Sequence, residues 1–318
     1  LADMGAEVIK VEKIDGGDDS RRMVPPQVGD ESAAFLMMNR NKRGVALDLK
    51  SDDGRAILKD LLKNADCVIE NFRHDTMERL GLSYDELTTI NPGLIYVEIS
   101  GYGRTGPYRE QAGFDLVAQG ASGLMSITGP GQDDGPVKVG APVTDITAGI
   151  LAAMGAAAAY AGKQKTGLGT RVDTSLFEAG ITHTYWQSAI ALATGQSPTA
   201  LGSAHPLNAP YQAFPTADGY INIGAANQRN WLRLLDVIGA PELNEDPRFA
   251  SNADRMAHLE ALVIVLNGYF RIQTSEVWLG LLDQAGVPAG PILSIGEMLE
   301  HPQAIARNMV VETAHEHL

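Results

Sequence analysis

Four short β-branched runs, EVIKVE, GVALDL, DCVIEN and LIYVEIS, divide the first hundred residues, and SDDGRAILKDLLKNA between the second and third carries apolar residues at helical spacing. That alternation predicts βαβ units, and hence an α/β fold with a parallel sheet covered by helices on both faces. Ser51 is the expected N-cap of the intervening helix, with Asp52 and Asp53 complementing its dipole. Ligands of such sheets sit beyond the carboxyl ends of the strands. Those ends carry Glu12-Lys13, Asp48-Leu49-Lys50, Asn71-Phe72-Arg73 and Gly101-Tyr102-Gly103, which predicts four ligand loops on one edge.

From 113 to 195 the pattern turns helical, through GFDLVAQGASGLMS, TDITAGILAAMGAAAAYAGKQ and SLFEAGITHTYWQSAIALATG. After the Gly/Pro-bearing GQSPTALGSAHPLNAPY the character changes. YQAFPTADGYINIGA reads as a hairpin, and NQRNWLRLLDVIGA, ADRMAHLEALVIVLNGYF and SEVWLGLLDQAG read as amphipathic helices. The expected organisation is a large domain over 1–200, a smaller α+β domain over 205–295, and a segment, 296–318, returning toward the first.

The 318 residues are 44% hydrophobic, enough for a large core, and the formal net charge is −14. The basic residues are scattered, which argues against a nucleic-acid or anionic-membrane surface. The single Cys67 cannot form an intrachain disulfide, so a reducing, cytoplasmic setting fits. GILAAMGAAAAYAG is short and rich in small residues, and reads as a packed core helix rather than a membrane span. The chain opens inside what reads as a helix leading into EVIKVE, and an N-terminal element is expected to precede it.

GYGRTG, residues 101–106, matches G-x-G-x-x-G after a strand, but Pro107 follows and no helix start lies close enough to receive a pyrophosphate. A plain Gly-rich turn is the better reading. The histidines at 74, 183, 205, 258, 301, 315 and 317 form no metal-ligand spacing; only His315 and His317 are close. No metal is predicted, and no G-x-S-x-G elbow is present. Carboxylates remain. Within VDTSLFEAG, Ser175 and Glu178 fit the S-x-x-E capping box, in which Glu178 would reach back to the Ser175 amide. The same placement, beside Leu176, Phe177 and Ala179, suits an ionised and poorly hydrated nucleophile. Both readings stand on pattern alone.

NRNKRGVALDLKS, VIENFRHDTMERLGL, INPGLIYVEISGYGRTGPY, GFDLVAQGASGLMSITG, TGLGTRVDTSLFEA and AGVPAGPILSIGEML together resemble the family III CoA-transferases, a group that includes α-methylacyl-CoA racemases as a divergent branch. The resemblance spans essentially the whole chain, without the family's first strand and helix or a C-terminal portion. It implies a Rossmann-like large domain, a small domain, and an interlocked homodimer. It implies transfer of CoA from an acyl-CoA to a carboxylic acid through enzyme-bound anhydride and thioester intermediates, with CoA as substrate and no tightly bound cofactor. Glu178 matches the family's nucleophilic Asp, one methylene longer. The implied CoA contacts are Lys13; Leu47, Asp48, Leu49 and Lys50; Asn71, Phe72 and Arg73; Arg79; and Ala112, Gly113, Phe114 and Asp115. In the racemase branch a His falls near SGLMSITG and an Asp in VTDITAG; here those positions are Ser126 and Asp145. The short GSAHPLNAPYQAF segment has no counterpart of the Gly-rich loops of oxalate-specific relatives, so oxalate and formate are poor candidate substrates. Two alternatives remain: an acyl-CoA racemase or isomerase using Asp145, and a CoA-binding protein without transfer activity in which Glu178 only caps.

Overall fold

A computed structural model describes residues 1–131, 135–315 and 318; His317 lies outside the described residues. The chain divides into two compact units, one formed by Leu1–Met125, Lys138–Tyr185 and Ala314–Leu318, the other by Ser126–Val137 and Trp186–Thr313. The second unit therefore takes up the chain at Trp186, ahead of the boundary expected near 205. It also keeps most of the segment expected to return to the first.

In the first unit, β1 (Val8–Glu12) pairs in parallel with β2 (Lys42–Ala46). A separate parallel ladder runs β3 (Cys67–Glu70), β4 (Ile95–Ser100), β5 (Arg171–Ser175) in that order. The four expected ligand loops thus belong to two ladders, two loops to each. β5 was not among the expected strands. β2 ends earlier than GVALDL suggested, because the Asp48 carbonyl accepts the Ser51 N–H at 3.1 Å and its hydroxyl at 2.8 Å, turning the chain into α1 (Asp52–Leu62). Ser51 caps α1 as expected, its Oγ accepting the Gly54 N–H at 3.0 Å. The apolar face of α1 joins Leu82, Leu87, Leu94 and Tyr96 in one buried cluster.

The first unit also holds α2 (Asp115–Ala121), α3 (Val143–Thr166) and α4 (Leu176–Thr182). α3 buries Ala148, Ala152 and Ala156, four residues apart on one face, and the last two pack with Ile95 and Val97 of β4. Methyl groups in that stripe let the helix axis approach the sheet closely. At 24 residues α3 is longer than the apolar run alone suggested, and by length and composition it could cross a membrane. Ile146, Ile150 and Met154, also four apart, remain exposed.

The helix expected from Ser175 through Gly195 is two helices, α4 and a second over Tyr185–Thr194. At the break, the Thr184 hydroxyl donates back to the Ile181 carbonyl at 2.8 Å, the kind of local side-chain bond that competes with continued helix.

The second unit is α+β. β6 (Tyr211–Pro215) and β7 (Tyr220–Gly224) form the expected hairpin, and β8 (Ala289–Pro291) adds antiparallel to β7. α5 (Gln228–Ile238), α6 (Leu259–Phe270) and α7 (Ser275–Gln284) contribute to a core of Phe214, Trp231, Phe249, Phe270 and Trp278.

Candidate active site

The carboxyl end of the β3–β4–β5 ladder is rich in charge. Glu70, Glu98 and Asp173 lie side by side in register across the three strands, and Glu70 and Glu98 are buried, at 6% and 3% exposure. Two buried carboxylates need cations. Arg104, from the GYGRTG turn, supplies one: its guanidinium lies 2.6 Å from Glu70 and 3.1 Å from Glu98. Arg171 of β5 pairs with Glu98 from the other side. Burial pushes the Glu70 carboxyl up, opposed by the Phe72 N–H and by Arg104. Such a network does little for net stability, but removing one partner costs about 3–5 kcal/mol because the other charge is left buried and unpaired. Arg73, His74, Glu78 and Arg171 line a cleft open to solvent at this end.

GYGRTG is a turn in the structure, with Gly103 and Gly106 at φ +92° and +79° and no helix until Asp115. It presses on the Ala112-Gly113 turn so closely that a Cβ on Gly101 would lie 2.8 Å from the Gly113 Cα, which explains glycine at both positions. The Gly101 carbonyl accepts the Phe177 N–H at 3.0 Å, and the Tyr102 ring packs on Tyr108 and Phe177. The start of α4 is thereby tied to the end of β4.

Glu178 lies in the first turn of α4. Ser175 Oγ accepts the Glu178 N–H at 3.2 Å and donates to Glu178 Oε2 at 2.8 Å. This differs from the expected box, since Glu178 engages the Ser175 hydroxyl rather than its amide; Ser175 is also the last residue of β5, and its backbone belongs to the ladder. The Glu178 residue is exposed.

A second carboxylate stands close by in the same unit. Asp115, at the start of α2, accepts the Thr144 N–H at 3.0 Å, the Thr144 hydroxyl at 2.8 Å and the Gln119 amide at 2.7 Å. It therefore holds the first turn of α3, in which Asp145 lies. Among the described residues no side chain donates a hydrogen bond to Asp145. Desolvation, and then the neighbouring Asp115 charge, raise its carboxyl above the ordinary aspartate range, although it keeps access to solvent. Two residues beyond Glu178 in α4, Gly180 packs against Thr144 and Ser122. His183 shares a 2.7 Å hydrogen bond with Thr147.

The positions implied for CoA fall into three groups. Lys13 and Leu47 to Lys50 follow the paired ends of β1 and β2. Lys13 is exposed and ion-paired with Asp19 at 2.8 Å; Asp48 accepts the Lys50 N–H at 2.9 Å, and the Lys50 side chain is exposed. Leu47 is buried and Leu49 half-buried in the α1 cluster, so their side chains serve the core. Asn71, Phe72 and Arg73 are exposed after β3, and Arg79 is exposed, with Asp75 at 3.4 Å. Ala112, Gly113 and Phe114 lead into α2, Phe114 being 76% exposed. The sequence reading passed over Arg104, Glu70, Glu98 and Arg171. The available signal was a glutamate inside each of two β-branched runs, an anomaly in strands buried on both faces. Among the described residues no group of three or more His, Cys, Asp or Glu side chains could hold a metal ion.

A family profile described as CoA-transferase family III matches residues 1–318. The acetyl-CoA:oxalate CoA-transferase of Acetobacter aceti is 40% identical over 98% of this chain and 80% of its own length. The succinate–glutarate CoA-transferase of Agrobacterium fabrum is 40% identical over 98% of this chain and 79% of its own. A crystal structure described as a CAIB/BAIF family protein from Brucella suis superposes with a TM-score of 0.84 at 39% identity, covering 97% of this chain and 82% of that one.

Proposed function

This chain belongs to the family III CoA-transferases, and from that premise we propose that Asp145 is the carboxylate that carries its acyl and CoA groups, with Glu178 as a helix cap. The family resemblance had pointed to Glu178. The observation that carries the assignment to Asp145 is the hydrogen bonding: both residues are exposed, but Glu178 is bonded to the Ser175 hydroxyl, whereas the Asp145 carboxylate is unengaged and is raised by desolvation and by the neighbouring Asp115. A nucleophile needs an unoccupied lone pair.

In the proposed reaction an Asp145 carboxylate oxygen attacks the acyl-CoA carbonyl carbon, the C–S bond breaks, and CoA leaves as thiolate from a mixed anhydride. The thiolate then attacks the Asp145 carbonyl carbon of that anhydride, and the donor acid departs as carboxylate, leaving an aspartyl-CoA thioester. The acceptor carboxylate repeats both steps in reverse. No net proton is taken up or released.

Lys13, Lys50, Arg73 and Arg79 are proposed to meet the CoA phosphates. The exposed pairs of Lys13 with Asp19 and Arg79 with Asp75 are weak enough for a phosphate to replace. The exposed stripe Ile146, Ile150 and Met154 supports a homodimer in which α3 is covered, and Cys67 supports a cytoplasmic setting. The names of the relatives make acetyl-CoA and succinyl-CoA the donors to try first, with glutarate and oxalate as acceptors. Oxalate thus returns to the panel despite the short GSAHPLNAPYQAF segment. Racemisation is not proposed, because Ser126 stands where the racemase branch would place a histidine.

Hydroxylamine trapping during turnover tests the assignment. The tryptic peptide over 139–163 contains Asp145 as its only acidic residue, and Glu178 falls in a different peptide. A hydroxamate on the 139–163 peptide is the expected result. A hydroxamate on the peptide beginning at Val172, with none on 139–163, would return the role to Glu178.

A further inference from the structure

We propose that Arg104 is a positioning residue for CoA, holding the Asn71-Phe72-Arg73 turn in its ligand-ready shape from a strand end in a different part of the sequence. The inference rests on the reading of that turn as a CoA contact.

Both polar backbone groups of Phe72 are engaged by one ion pair. Its N–H donates to Glu70 Oε2 at 2.7 Å, and its carbonyl accepts from Arg104 Nη2 at 3.1 Å. The same Nη2 donates to Glu70 Oε1 at 2.6 Å. The Phe72 peptide is thus clamped between a carboxylate and a guanidinium, with the Arg104 side chain 8% and that of Glu70 3% exposed. The Phe72 ring and the Arg73 side chain face outward from this clamp. Arg104 is itself anchored: its backbone N–H donates to Asp173 Oδ2 on β5 at 3.0 Å, and its Nε lies 3.1 Å from Glu98 of β4. One residue therefore bridges all three strands, at Glu70, Glu98 and Asp173, and its planar fork is what allows it to reach Glu70, Glu98 and the Phe72 carbonyl together. A lysine has one nitrogen and cannot. Without the clamp the turn, whose Arg73 carbonyl also accepts the Thr76 N–H at 3.2 Å, would lose orientation entropy on binding that the clamp removes in advance.

The role is distinguishable from general stabilisation because it acts on one substrate. In Arg104→Met and Arg104→Lys proteins, the Kd for free coenzyme A by calorimetry and the KM for succinyl-CoA should rise about tenfold, while the KM for the acceptor glutarate stays within about twofold of wild type. The Lys variant retains the buried charge and carries the test if the Met variant does not fold. Glu70→Gln should show the same split, and the double variant Arg104→Met/Glu70→Gln should bind CoA no more weakly than the worse single variant, since both act through one clamp. Arg73→Ala is the control for the underlying reading. If Arg73→Ala weakens CoA binding and neither Arg104 variant does, the positioning role is overturned and the CoA site stands. If none of the three changes CoA affinity, the reading of the turn as a CoA contact falls, and the inference falls with it. Equal losses for succinyl-CoA and glutarate would also overturn it, by showing general damage.

Discussion

Asp115 Oδ1 accepts both the backbone N–H and the hydroxyl of Thr144, at 3.0 and 2.8 Å, across 29 positions of sequence. The contact puts a negative charge beside the first turn of α3, and it is one cause of the raised carboxyl of Asp145.

The raised carboxyl has a direct consequence for pH dependence. A nucleophilic carboxylate must be ionised, so activity falls as pH drops through the Asp145 pKa, which lies above the ordinary aspartate value. Asp115→Asn removes a neighbouring charge while keeping an oxygen to accept from Thr144. The Asp145 pKa should then fall, and the acid limb of the kcat/KM profile should move to lower pH. Stability has the opposite sense: a carboxyl raised on folding costs stability above its folded pKa, and that cost is relieved as pH falls through it. An acid limb that stays in place in Asp115→Asn would exclude Asp145 as the group that sets it.

Glu178→Gln separates a cap from a nucleophile. The amide can still accept from Ser175, so turnover should stay within about threefold of wild type, whereas Asp145→Asn should lose about a thousandfold or more. Ser175→Ala, which removes the N-cap itself, should cost about 1 kcal/mol in urea unfolding. Abolished turnover in a folded Glu178→Gln protein would reverse the proposed roles.

Gly180 is placed by contact rather than by helix preference. A Cβ there would lie 2.3 Å from Ser122 Oγ and 2.6 Å from Ser122 Cβ. Alanine in a helix interior is ordinarily favoured over glycine by about 1 kcal/mol. The overlap should outweigh that, so Gly180→Ala should destabilise by about 1–3 kcal/mol, and adding Ser122→Gly should recover much of the loss. A Gly180→Ala protein as stable as wild type would show that α4 shifts freely at this contact.

Cys67 is half-buried, and burial first, with the Asp66 charge, pushes its thiol up to about 11. At pH 8 its thiolate fraction is then about 100-fold below that of a free cysteine, and alkylation by iodoacetamide should slow accordingly relative to the urea-unfolded chain. Equal rates in the folded and unfolded protein would contradict that environment.

Much of the architecture could be read from short-range pattern. The runs that became β1, β3 and β4, the Ser51 cap, the hairpin over 211–224 and the amphipathic α5 and α7 are each decided within a dozen residues. Period, caps and turn chemistry act at that range. The family was legible for the same reason, since its motifs are contiguous. Boundaries were less legible: β2 stops early because Asp48 turns the chain, and the helix after Ser175 breaks at residues whose hydroxyls bond backward.

The amino-acid order alone settled most of the strands and helices, β5 and the break after α4 excepted, and which family the chain resembles. It could not settle which carboxylates are buried or which arginine is buried with them. Arg104 meets Glu70 across 34 positions and Asp173 across 69, and the Asp145 carboxyl is raised first by desolvation and then by an aspartate on another helix. The free energy of a charge depends on what surrounds it in space, and only the folded chain brings those neighbours together.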